Sequence, residues 1–126
     1  GAATDFGDLT LSRSGISAGS NATRGIFAGG SLQPANTGSN TIDYVTMATT
    51  GDAIDFGDAT HTTYRWMGAG MFSSTRGVLG VGGYPAINTI QYITVASTGN
   101  AADFGDATQS VGNSANSSDS HGGLGE

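Results

Sequence analysis

The chain has 126 residues, about one domain by length, with 22 glycines, no cysteine and a net charge of −6. Four arginines are its only cations besides two histidines, which excludes the broad basic face that a nucleic-acid binder needs, and the missing thiols exclude disulfides and thiolate metal sites. No segment approaches the roughly 18 consecutive apolar residues of a membrane-spanning helix.

In chain order, residues 1–10 carry the phrase Asp5-Phe6-Gly7-Asp8 and read as the last strand of a unit whose other strands do not precede it. The chain starts at Gly1 rather than Met, as a processed chain or a slice of a longer array would, and it shows no basic-then-apolar leader. Residues 11–60 read as a unit of four strands. Strand A, "SRSGISAG" (12–19), is poorly patterned, and strand B is "TRGIFAGG" (23–30). Strand C has the clearest period: Ile42, Tyr44 and Thr46 alternate with Asp43, Val45 and Met47. Apolar residues on both of its faces predict a strand sandwiched between neighbours. A Gly-containing turn, "TTGD", leads to strand D, "AIDFGDAT" (53–60).

Residues 61–108 repeat the pattern. Strand A is "YRWMGAGMF" (64–72), strand B "TRGVLGVGG" (75–83), and strand C sets Ile90, Tyr92 and Thr94 against Gln91, Ile93 and Val95. Strand D, "AADFGDAT" (101–108), brings the third copy of Asp-Phe-Gly-Asp, forty-eight positions after the second and ninety-eight after the first. Residues 109–126 form a degenerate partial unit with His121 where strand B had arginine. The loops between B and C differ, "SLQPANTGS" against "YPAI", and variable loops on constant strands are where repeat proteins build binding faces.

Four short strands in about 50 residues, with a double glycine closing the second, resemble the blades of a kelch-like β-propeller. The landmarks are Gly29-Gly30, Tyr44 and Phe56, then Gly82-Gly83, Tyr92 and Phe104. Phe stands where such blades usually carry Trp, and the B–C spacing is uneven. The phrases "NTIDYVTMATTGDAIDFGD" and "TRGIFAGG" also resemble repeats in virion structural proteins of marine tailed bacteriophages, where they form long arrays of predicted kelch-like blades. The resemblance implies an all-β chain of residues 1–126 as one repeat domain, an incomplete ring. It also implies completion by further blades of a longer chain or by a homo-oligomer, and a place in a virion or extracellular assembly.

The recurring carboxylates invite three readings. Asp52, Asp55 and Asp58 offer hard oxygen ligands for calcium, but Asn100 replaces Asp52 in the next copy and no EF-hand spacing is present. Asx turns and bulges at a strand end account for more of the pattern. The arginines recur with the same period, so Arg13, Arg24, Arg65 and Arg76 are expected to form structural ion pairs with Asp8, Asp58 and Asp106, as a planar guanidinium suits a carboxylate. A single aromatic cluster, Tyr64, Arg65 and Trp66, is either strand packing or a stacking platform for a cell-surface glycan. His61 and His121 have no zinc-binding spacing. No nucleophile elbow occurs, and carboxylates that recur in every unit do not suit a catalytic pair. These observations predict a non-enzymatic structural or adhesion module without cofactor, nucleic acid or membrane, with a lectin-like propeller module as the alternative.

Overall fold

The computed structural model describes residues 1–64, 70–80 and 82–118. All regular structure in them is β, in ten strands: β1 (Arg13–Ser14), β2 (Ser17–Ser20), β3 (Arg24–Ala28), β4 (Ser31–Leu32), β5 (Thr37–Thr46), β6 (Ile54–Thr63), β7 (Met71–Phe72), β8 (Arg76–Leu79), β9 (Ile87–Thr94) and β10 (Ala102–Val111). The architecture is strongly curled, like half a barrel. Among the described residues no helix is long and apolar enough to cross a membrane.

Two antiparallel meanders carry the fold. In the first, β2 pairs with β3, β3 with β5 and β5 with β6. In the second, β7 pairs with β8, β8 with β9 and β9 with β10. The pairing order follows the A, B, C and D strands of the sequence, with C between B and D; of the second strand A, expected over 64–72, Met71–Phe72 pairs and residues 65–69 lie outside the described residues. The ladder steps past Phe56 between Asp43↔Asp55 and Ile42↔Gly57, and past Phe104 between Gln91↔Asp103 and Ile90↔Gly105. The Asp-Phe-Gly motif therefore forms a bulge in each D strand, with its glycine at φ 145° and 141°, a backbone region open to glycine and strained for other residues.

Two expectations change. The B–C segment of the first unit is not a plain loop. Ser31–Leu32 and Thr37–Gly38 extend the sheet as a hairpin, joined on its other edge by Arg13–Ser14. Strand A accordingly breaks in two at Gly15, whose φ of 65° turns the chain. Residues 1–10, read as a lone D strand, form no ladder, because no strand C lies beside them.

The core runs between the two meanders. Ile26, Ala28, Ile42 and Phe56 of the first close on Phe72, Leu79, Ile93 and Val95 of the second, with Tyr44 packed alongside. Period-2 alternation explains the choice: Ile26 and Ala28 share one face of β3, and Leu79 and Ile93 lie on the opposite face of the second meander. One face of each meander thus meets the other face of its neighbour.

Candidate functional site

All three copies of Asp-Phe-Gly-Asp make the same local turn. The glycine N–H donates to the Oδ1 of the first aspartate at 3.2 Å (Gly7 to Asp5), 3.1 Å (Gly57 to Asp55) and 2.8 Å (Gly105 to Asp103). This Asx turn needs a short side-chain acceptor, so the first aspartate serves backbone geometry.

The remainder of the motif joins one unit to the next. Gly99 N–H donates to Phe56 O at 2.7 Å and Ala101 N–H to Asp58 O at 2.8 Å. Asp58 N–H in turn donates to Asn100 Oδ1 at 3.0 Å. The first copy repeats this on the preceding ledge: Gly51 N–H to Phe6 O and Ala53 N–H to Asp8 O, both 2.8 Å, with Asp8 N–H to Asp52 Oδ1 at 3.0 Å. Asp52 and Asn100 do the same work because the joint needs an acceptor oxygen and no charge. Among the described residues no three acidic or histidine side chains converge, and Asp52 and Asp55 each accept from a different backbone amide.

Two further contacts tie the units. Asn21 Oδ1 accepts from Thr23 N–H and Arg24 N–H, while its amide donates across the joint to Ser74 O at 2.9 Å. Arg24 lies 4.3 Å over the Tyr44 ring and donates to Val95 O at 2.7 Å. Its counterpart Arg76 lies 4.9 Å over Tyr92 but is exposed. Cation–π contact and a charge-assisted bond to a carbonyl are each worth on the order of 1 kcal/mol. Arg24→Ala is therefore expected to lose about 1–2 kcal/mol in urea denaturation, and Arg76→Ala less than about 0.5 kcal/mol.

The expected ion pairs are corrected. Among the described residues the one ion pair joins Arg13 to Asp43 at 2.5 Å, with both side chains fully buried. Arg13 also donates to Gly29 O and Thr41 O, and Thr10 Oγ1 donates to Asp43 Oδ1 at 2.7 Å. Among the described residues Asp58 and Asp106 pair with no arginine, because strand C separates B from D by two inter-strand spacings, roughly 9–10 Å, and neither does Asp8, which lies in no strand. Arg24 and Arg76 find instead the tyrosine of the adjacent strand C. Asp43 carries a signal in the sequence that the recurring motifs do not: it is the one charged residue of its strand, set between Ile42 and the Tyr44-Val45 pair. Its counterpart Gln91 is equally buried and accepts from Thr60 N–H at 2.7 Å.

Of the aromatic platform, Arg65 and Trp66 lie outside the described residues, as does His121. Tyr64 is described. It stands against Tyr84 with ring centroids 6.1 Å apart, and both rings are exposed.

Comparison with known proteins finds no matching family model and no similar curated protein.

Proposed function

We propose that this chain is a non-enzymatic structural or adhesion module of kelch-like β blades, belonging to a virion appendage or another extracellular assembly. One observation carries the reading: the most strongly repeated residues, Asp-Phe-Gly-Asp and the Gly-Asp/Asn ledge, are spent on holding one unit to the next. A chain whose recurring carboxylates accept backbone amides at joints is built to stack. The likeness of its phrases to phage virion repeats supports the setting. Its partners are further blades or further copies of itself. Negative-stain electron microscopy and light scattering on concentrated protein should show particles larger than one chain without any added ligand. A monomer at every concentration would overturn the proposal.

The Tyr64–Tyr84 pair favours a second reading, carbohydrate binding. Exposed aromatic rings offer faces on which the C–H groups of a sugar stack, and Tyr84 sits on the short B–C loop. Binding on a glycan array that disappears in Tyr84→Ala would support this reading; an array with no hit would remove it.

A further inference from the structure

The three copies of the motif are chemically alike but differ in burial. Phe56 is 2% exposed, Phe6 39% and Phe104 55%. Phe56 is buried because it has a ledge on one side (Gly99–Ala101) and its own sheet on the other, with Tyr44 edge-on at 5.9 Å. Phe6 has a ledge (Gly51–Ala53) and, among the described residues, no sheet behind it. Phe104 has a sheet behind it, with Tyr92 edge-on at 6.1 Å, and, among the described residues, no ledge. Among the described residues nothing donates to Phe104 O or Asp106 O as Gly99 and Ala101 donate to Phe56 O and Asp58 O.

The two ends are therefore complementary. At the first, Phe6, Gly7, Asp8 and Leu9 border an apolar groove of about 450 Å³ with Phe27, Val45 and Met47 on its other side. The equivalent positions in the second meander, Leu79, Ile93 and Val95, are at most 2% exposed because the first meander covers them, whereas Met47 is 41% exposed. The groove is the space that a sheet behind Phe6 would fill. At the second end, Val78, Ile90 and Tyr92 form the half-buried face equivalent to Ile26, Ile42 and Tyr44.

We propose that Asp103–Asp106 is a docking strand for a second copy of this chain. It enters the Gly51–Ala53 ledge of that copy and displaces the copy's own Asp5–Asp8. The three ledge hydrogen bonds exchange one for one. The gain is apolar: the incoming motif brings Val78, Ile90 and Tyr92 into the groove, and Arg76 reaches Met47 O as Arg24 reaches Val95 O. Such an interface is heterologous and propagates head to tail. The resident segment resists because it is tethered just before Thr10, which holds Asp43. A short tether gives it an effective concentration on the order of mM, so association of the unaltered chain is weak and rises with concentration. The inference rests on the reading of the chain as a stacking module and names the surface that stacks.

The test is sedimentation velocity on the full chain and three variants, with far-UV circular dichroism to show that the sheets persist. Gly7→Ala places a Cβ on the Gly51 carbonyl and loosens the resident segment only. It should associate at a concentration about ten times lower than the unaltered chain, and Phe6→Ser, which empties the same seat by another route, should do likewise. Phe104→Glu, at an exposed site, should stay monomeric throughout. Gly7→Ala and Phe6→Ser associating no better than the unaltered chain would overturn the proposal. So would undiminished association of Phe104→Glu, which would leave the stacking reading standing with another surface. A chain that is monomeric in all four forms would overturn both.

Discussion

Gly57→Ala is expected to lose about 2–4 kcal/mol of stability, more than either equivalent substitution. The glycine is at φ 145°, and a Cβ there would lie 2.5 Å from the carbonyl carbon and oxygen of Gly99 and 2.9 Å from Asn100 N. All of these are backbone atoms of the ledge, so no side chain can swing aside. Backbone strain for a non-glycine residue adds roughly 1–3 kcal/mol, and forced overpacking a similar amount. Gly105 has the same conformation but nothing within 4 Å of its Cβ position, so Gly105→Ala bears the strain alone, about 1 kcal/mol. Guanidinium denaturation of the two variants separates the joint from the turn: equal losses would show that the ledge contact contributes nothing.

Asp43→Ala is the second large effect, at about 3–5 kcal/mol, because it leaves the Arg13 guanidinium buried without its counter-charge. A domain of this size holds about 5–15 kcal/mol in total, so the variant is expected to lose a large fraction of its stability. The paired replacement Arg13→Met with Asp43→Leu should recover most of the loss, since two apolar groups of similar volume remove the desolvation of both charges. A double-mutant cycle by urea denaturation measures the coupling. Additive losses would mean that the pair is not energetically linked. Thr10 is a useful third position, because its hydroxyl also satisfies Asp43, and Thr10→Val isolates that bond.

Much of this was legible in the sequence. Strand C was readable from its period of two, and both of its faces are covered, as Ile42 and Asp43 show. Asx-turn chemistry at Asp55 and Asp103 was readable because Asp-x-Gly next to a strand end has few other uses. The ion-pair partners were not readable. Equal period says that Arg24 and Asp58 recur together, but periodicity carries no information about which strand lies between them. The first B–C segment was also opaque, because pairing of Ser31–Leu32 with Arg13–Ser14 joins residues far apart in sequence, and no local pattern announces it.

The sequence by itself determined that the fold is all-β and that its carboxylates recur with a repeat, since spacing and side-chain alternation are local properties. Only the tertiary structure decided what the carboxylates face. The ledge that receives Asp-Phe-Gly-Asp comes from the next unit, so whether the motif binds an arginine, an ion or a backbone amide depends on how one meander stacks on another. The same stacking buries Phe56, half-covers Phe6 and leaves Phe104 open, although their local sequences are nearly identical.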